Sequence, residues 1–563
     1  MFSFRSSDSP AVGLPAQPVL TVLLCCFVLF GLYRLGGWGL IETSEARYAE
    51  MGREMYRSGD YLHPTIMGVR HYHKPPFTYA VTAFAYRLFG VGPGAARFFL
   101  QVGLLLQLIF VFLLARRLLP DPRQPLWAVA VYASFPILLV ASRNLTTDLY
   151  LNTFLLGGVW AFVRSEQRTS GHVPWLLAAY AFWGLAALTK GAGVVILPAV
   201  LLPVWYLLHP PRSWLAVIGR HALGAVLFLV IGLSWYLALA AEDPSLTRYF
   251  LIEQTIKRYT TDQWSRDQPA WFYLATVTAT TLPWLPAVLG YGGAWGRLWR
   301  ERKAVYWAAA WFVLPIVFYS FAQSKLLLYV LPAYAGLALL AAVWVAAAGA
   351  GAIRGWTRAA QGLFSLCFTG LLVAPLVTDR IAASLPYYLF ATAGLFLLWY
   401  LPPRLSVLAQ NGAQRLLVVP LVFTTFLLPT GTEFLAHNEY LVNSPAPLAE
   451  SLRERGLADY DLYTLNRELP AISFRLDRPL RQLYQGSMPR DTTHEVNADW
   501  RDTWINVDRT EARDSLRRRW ADRPTAVINY RPPNDTLRRW LEELGQVDTI
   551  GRYTVFYGPA PRR

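Results

Sequence analysis

The chain has 563 residues, of which 54% are hydrophobic, 15% aromatic and only 16% charged. Soluble proteins carry about a quarter charged residues, and apolar windows of about 20 residues, the length that crosses a hydrocarbon core, recur throughout; a soluble globular protein is excluded and a polytopic membrane protein expected. The net charge of +16 would point to nucleic acid in a soluble chain, but here it reads as Lys and Arg gathered in cytoplasmic loops, with room for a basic site facing lipid phosphates and no nucleic-acid partner.

In chain order, the first apolar run, Val19 to Leu40, is too long for a signal-peptide core and lacks a small-residue cleavage site, so it is expected to be a retained anchor. Cys25, Cys26 and Cys367 all fall in apolar runs, where they serve as small hydrophobes rather than a disulfide framework or zinc ribbon. Residues 41–93 follow as a long polar segment. Within it, "FTYAVTAFAYRLFG" holds Arg87 and is too short to span; it is read as a juxtamembrane helix.

Thirteen spans are expected, at 18–40, 94–115, 124–142, 147–163, 173–190, 191–208, 218–241, 270–290, 304–322, 326–348, 359–378, 386–402 and 414–430. With the N-terminus inside, the inside loops then collect Arg116, Arg117, Arg164, Arg168, Arg212, the 297–303 cluster, Arg354, Arg358, Arg404 and Arg415. This is the positive-inside pattern, and counting 76–90 as a further span would invert it. After residue 431 charges become dense and apolar runs shrink to strand length, as in "TAVINY" and "YTVFYG", while "DTLRRWLEELG" reads as an amphipathic helix ended by Gly545. The expected organisation is a membrane domain over 1–430, including an external loop 41–93, and a soluble extracytoplasmic α/β domain over 431–563.

Charges near bilayer depth are costly and tend to be paired or functional, and on this topology the unusual ones share the outer face. Glu42, Glu45, Arg47, Glu50, Arg53 and Glu54 leave the first span; His71, His73 and Lys74 close the first loop; Arg143 and Asp148 flank spans three and four; Lys190, Arg258 and Lys325 lie in later outer segments. Each has a plainer alternative. Residues 44–57 are spaced as an amphipathic helix with Ser44 as cap and i,i+3 or i,i+4 ion pairs on a solvated face. Asp148 also suits a helix N-terminus, and Lys190 and Lys325 also suit snorkelling from helix ends. His71 and His73 share one face of an extended segment, a metal pair only if another segment adds a carboxylate. Lys74, before two prolines, sits on stiff backbone that suits a fixed phosphate contact.

The segments "SEARYAEMGREMYRSGDYLHP", "HKPPFTYAVTAFAYRLFG", "RNLTTDLYLNTF", "GLAALTKGAGVVILP", "RYFLIEQTIKRYT", "QPAWFYL" and "FVLPIVFYSFAQSKLLLYVLPAYAGLALL" occur in this order. As an ordered set over about residues 20–350 they resemble the bacterial branch of the GT-C membrane glycosyltransferases, in particular lipid A aminoarabinose transferases and protein O-mannosyltransferase-like enzymes. The resemblance implies thirteen spans, juxtamembrane helices in the first external loop, and a polyprenyl-phosphate-linked sugar as donor. In that family an Asp-Glu pair precedes "RYAE"; here Ser44 and Glu45 hold those positions, with Glu42 nearby. An acid often precedes "KPP"; here it is His73, so a divalent metal bound there in some members either persists through His73 or is lost, and no cofactor is required.

The expected reaction carries a sugar from the donor to a lipid A-like, glycan or protein acceptor at the outer face of a bacterial inner membrane. Glu45, Glu42 and Asp148 are the candidate catalytic carboxylates. Lys74, Arg258, Lys325 and Lys190 are the candidate phosphate ligands, supported by Arg47, Arg53, Arg143 and Tyr329. The competing reading is a transporter or flippase of a lipid-linked or anionic solute, whose binding groups would lie at the midplane on repeated halves; no internal repeat is visible.

Overall fold

The computed structural model describes residues 17–167, 172–256, 268–290, 303–405, 411–486, 503–530 and 533–558. They form two compact units: one of residues up to Arg34, Leu100–Arg143 and Thr147–Phe434, the other of Leu35–Phe99, Asn144–Thr146 and Leu435 onward.

The first unit is helical. Each of the thirteen expected spans coincides with helix over all or part of its length among the described residues. Eight of these helices are long and apolar enough to cross a membrane singly, from Pro93–Leu118 to Gly412–His437. A ninth span forms if Gln124–Ala133 and Pro136–Arg143, bent by 63°, are taken together; Pro136 lacks the N–H that would continue the helix. The helix Trp214–Glu242 leaves Leu215, Ile218, Val226, Val230 and Leu237 exposed, as lipid-facing side chains are. The chain is a membrane protein.

The first span differs from expectation. Its helix is Pro18–Gly31, not 18–40, and Arg34 adopts φ 45°, a left-handed conformation that ends helical progression. The guanidinium of Arg143 supplies the terminus: Nη2 donates to Phe30 O at 2.7 Å and Nη1 to Tyr33 O at 3.2 Å. A cation thus caps the carbonyl end of a helix, so Arg143 acts on the fold.

One group of buried polar side chains in this unit is partnered within it. Tyr132 Oη donates to Gln107 Oε1 at 2.8 Å, and Asn152 Nδ2 donates to both at 2.9 Å. Gln107 Nε2 in turn donates to Leu149 O at 2.9 Å and Thr153 Oγ1 at 3.0 Å. All these side chains are buried, so the network fixes the rotation of the helix Thr147–Glu166 that starts beside Asp148.

The second unit is built on a six-stranded sheet in the order β5-β4-β3-β6-β8-β7. The strands are β3 (Asp461–Leu465), β4 (Arg481–Tyr484), β5 (Trp504–Asn506), β6 (Thr525–Asn529), β7 (Gln546–Ile550) and β8 (Tyr553–Tyr557), after a small hairpin of β1 (Thr65–Ile66) and β2 (Val69–Arg70). β5, β4, β3 and β6 run parallel, and β8 and β7 complete the sheet antiparallel. Successive side chains alternate between faces. Leu462, Ala526, Ile528 and Val555 enter one core, with Met51 and Met55 of the helix Ser44–Ser58, Tyr79 and Ala83 of the helix Phe77–Phe89, and Leu448 and Leu452. Tyr463, Leu465, Val527 and Phe556 enter the other, under Leu516, Trp520, Leu537 and Leu541. Residues 44–89 therefore share a core with the C-terminal sheet, and each fully buried Leu or Met contributes about 1.5–3 kcal/mol.

The helix Asp535–Leu544 is capped by Asn534, whose side chain accepts from Leu537 N. It ends before Gly545, as its sequence implies, but for a steric reason. Gly545 has extended backbone (φ 177°), and a Cβ there would lie 2.2 Å from Tyr557 O. Gly545→Ala is expected to cost about 1–3 kcal/mol through overpacking, read as a lower melting temperature of the purified protein; an unchanged melting temperature would contradict that packing.

Candidate functional site

In the first unit three of the expected residues meet. Asp148 lies in the first turn of Thr147–Glu166 and Lys190 is the last residue of His172–Lys190. Their side chains form an ion pair, and the Lys190 ammonium sits 4.0 Å from the centre of the Tyr329 ring. Asp148 is 8% exposed. Lys190 therefore does not snorkel; a carboxylate and an aromatic face hold it.

Lys325, 6% exposed, belongs to the same unit and donates from Nζ to Gln268 O at 2.9 Å. Its backbone is anchored by Tyr273, whose hydroxyl donates to Leu326 O at 3.0 Å and accepts from Leu326 N at 3.2 Å. Tyr273 is fully buried; it secures the lysine segment and faces no lipid. Arg258 lies outside the described residues.

In the second unit the helix Ser44–Ser58 carries its charges inward. Thr43, not Ser44, occupies the cap position, and no side-chain cap forms. Glu45 is 1% exposed and pairs with Arg97 through Oε1–Nε and Oε2–Nη2, both at 2.8 Å. It also accepts from Ile41 N at 2.9 Å and Leu145 N at 3.1 Å. Arg97 spends its remaining donors on the carbonyls of Leu35, Trp38 and Gly39 and lies 4.0 Å from the Trp38 ring. Four hydrogen bonds saturate the Glu45 carboxylate, so it holds a chain crossing together.

Glu50 and Arg53 do form the expected i,i+3 pair, but buried: Arg53 Nε and Nη2 donate to Glu50 at 2.8 and 2.5 Å, and Nη1 to Asp477 at 2.5 Å. Ser473 Oγ also donates to Glu50 at 2.8 Å. The solvated-face alternative fails here because this face packs on the segment 470–477. Arg47 is 3.7 Å from Glu468.

Glu42 differs from Glu45. It is 5% exposed, and Oε1 accepts from Ala471 N at 2.9 Å, while Oε2 has no hydrogen-bond partner among the described residues. Burial pushes its pKa up to about 8, against the opposing pull of the Ala471 N–H, Arg467 and Arg47. The protonated form is thus favoured in the folded state, relative to a usual value of 4.5. Between those values the folded protein holds more protons than the unfolded chain, so this contribution is complete below about 4.5 and is lost as pH rises through about 8. Glu42→Gln is expected to flatten the fall in melting temperature between pH 5 and pH 8.5, roughly the window set by that shift; a slope equal to wild type would contradict a neutral Glu42.

His71 is buried, and burial, aided by Arg47, holds its imidazole well below the usual value. Its ring centre lies 4.0 Å from that of His73. Neutral imidazoles suit a metal, yet no group of three or more His, Cys, Asp or Glu side chains is arranged for one among the described residues. A divalent ion at His71 and His73 would need ligands beyond these two. Lys74 is half-buried just before the helix Phe77–Phe89.

The sequence reading overlooked Arg97, Gln107 and Glu433. Glu433 is buried and accepts from Arg34 at 2.7 Å and from Tyr33 and Ser384 at 2.8 Å. An Arg and a Glu inside apolar runs are visible in "GAARFFLQ" and "TGTEFLAH"; their partners are not.

Known proteins are similar to this chain in sequence and in fold. Residues 73–237 match the family model described as dolichyl-phosphate-mannose-protein mannosyltransferase. The undecaprenyl phosphate-alpha-4-amino-4-deoxy-L-arabinose arabinosyl transferase 1 of Sodalis glossinidius is 34% identical over 332 residues, 58% of each chain. The corresponding transferase of Pseudomonas aeruginosa strain LESB58 is 32% identical over 329 residues, 57% of this chain and 58% of its own. The matched stretch thus spans somewhat over half the length of these curated relatives. The crystal structure of ArnT from Cupriavidus metallidurans bound to undecaprenyl phosphate has the same fold, with a TM-score of 0.76 and 23% identity over 96% of this chain and 98% of that one. Over somewhat more than half its length the chain is thus similar in sequence to these arabinosyl transferases, and it shares the fold of that ArnT structure.

Proposed function

We propose that the chain transfers a sugar from a polyprenyl-phosphate carrier to a lipid A-like, glycan or protein acceptor. The observation that carries this reading is the partly buried Asp148–Lys190 pair with its Tyr329 face, in a chain about one-third identical to aminoarabinose transferases over 58% of its length. In such a transfer the bond between the anomeric carbon and the phosphate oxygen breaks. Positive charge grows on the sugar, and the phosphate leaves as an anion. Fixed cations stabilise that anion more than the ester it came from, which lowers the barrier.

Lys190 is pre-oriented for this task. Asp148 takes one direction of the ammonium and Tyr329 lies against another face, leaving N–H capacity for a phosphate oxygen. Lys325, Lys74 and Arg258 are the other proposed phosphate ligands, with Arg47 and Arg53 supporting. Asp148 and Glu42 are the proposed working carboxylates; Glu45 is assigned the positioning of its own segment. A carboxylate base serves a hydroxyl acceptor, whereas an anionic phosphate acceptor needs none.

The proposed setting is a bacterial inner membrane, N-terminus inside. Residues 41–93 and 431–563 then lie on the extracytoplasmic side, as the basic inside loops favour. Vesicles loaded with the purified chain and a labelled polyprenyl-phospho-sugar test transfer against transport. Label that appears on an added acceptor supports the enzyme; label that crosses the bilayer still attached to its carrier, with none transferred, supports a flippase and overturns this reading.

A further inference from the structure

Away from Asp148 and Lys190, the second unit gathers arginines that its own carboxylates do not neutralise. Arg467, just after β3, lies 4.6 Å from the centre of the Tyr530 ring, and Arg552, just before β8, lies 5.0 Å from the same centre. Arg552 is also 5.6 Å from the Tyr553 ring. Two guanidiniums thus converge on one phenol ring. No ion pair to either is found among the described residues; Arg552 instead donates from Nη2 to Asn443 Oδ1 at 2.7 Å.

Asn443 links the pair to Glu42. Its Nδ2 donates to Glu42 O at 2.8 Å, and Glu42 N donates to Asn443 O at 2.9 Å. Asn443 takes a left-handed backbone, φ 66°, a conformation Asn tolerates better than most residues. Among the described residues, the buried atoms Glu42 Oε2 and Arg552 Nε have no hydrogen-bond partner. Both arginines are partly exposed, and guanidinium forks match the oxygens of a phosphate or carboxylate.

We propose that Arg467 and Arg552, gathered at Tyr530, bind the oxygens of a phosphate-class anion presented by a glycan or lipid headgroup. Other charges around Glu42 are Arg47, paired with Glu468 at 3.7 Å, from the helix Ser44–Ser58 and the loop after β3. With Glu42 protonated, it adds no negative charge beside Arg467. Ionisation of Glu42 as pH rises through about 8 opposes the anion. The site borders Glu42, which the sugar-transfer reading also uses, but its anion contacts are those of Arg467 and Arg552 alone.

The test is titration of the detergent-solubilised full chain with inorganic phosphate, beside Arg467→Ala/Arg552→Ala and Arg467→Lys/Arg552→Lys. Phosphate bound elsewhere contributes equally to all three. The expected result is at least a tenfold loss of one phosphate site in the alanine variant, partial rescue by lysine, and weaker wild-type binding at pH 9 than at pH 7. Equal affinity in wild type and a folded alanine variant, judged by its melting curve, overturns the site; should the alanine variant not fold, equal affinity in the lysine variant does so. Vesicles of phosphatidylglycerol form the second arm: arginine-dependent binding to them names a lipid headgroup as the source, and response to soluble phosphate alone names a glycan phosphate. A chain that binds phosphate here but transfers no sugar would leave this inference standing and remove only the function above.

Discussion

If the chain carries out the proposed sugar transfer, replacing Asp148 with Asn is expected to lower it by about 10²–10³-fold, the loss usual for a single electrostatic stabiliser in a water-poor site. The substitution keeps the shape and removes the charge that fixes the Lys190 ammonium beside Tyr329. Lys190→Ala should cost as much, and the double variant little more than either, because two members of one unit do not add. The check is initial rate against donor concentration for the three variants at matched folded protein. Additive losses would mean that Asp148 and Lys190 act separately. Wild-type rates in Asp148→Asn would remove the pair from the mechanism.

Glu45→Gln has its largest effect on folding. The carboxylate accepts four hydrogen bonds and faces the buried Arg97 guanidinium. Breaking one partner of such a pair leaves an uncompensated buried charge, at about 3–5 kcal/mol. Arg97→Leu is expected to match it, since the carbonyls of Leu35, Trp38 and Gly39 then lose their donor. Detergent-phase melting curves and membrane yields measure this. A Glu45→Gln protein that melts like wild type but fails to transfer sugar would return Glu45 to the chemistry.

Local pattern carried the elements. The thirteen apolar stretches, the short helix Phe77–Phe89, the strands within "TAVINY" and "YTVFYG" and the helix Asp535–Leu544 are each fixed by periodicity over a few residues. Asp148 and Lys190 stood out because charges in apolar surroundings are costly. What pattern does not encode is the partner. The stripe of Met51 and Met55 signals a buried face, but not that Leu448 and Ile528 cover it. Glu45 and Glu42 look alike in "IETSEARY", yet one is saturated by Arg97 and the other keeps an unpaired oxygen beside Ala471. Those fates depend on residues 52 and 429 positions away, which a helical or strand period does not reach.

The most direct measurement follows both products of the reaction. Purified chain is mixed with polyprenyl phosphate carrying a radiolabelled aminopentose, and with lipid A as acceptor. Proposed sugar transfer predicts one free polyprenyl phosphate released for each sugar appearing on the acceptor, with both losses shared by Lys190→Ala. Intact donor after prolonged incubation with lipid A, glycan and protein acceptors, in a preparation shown to be folded, would contradict it.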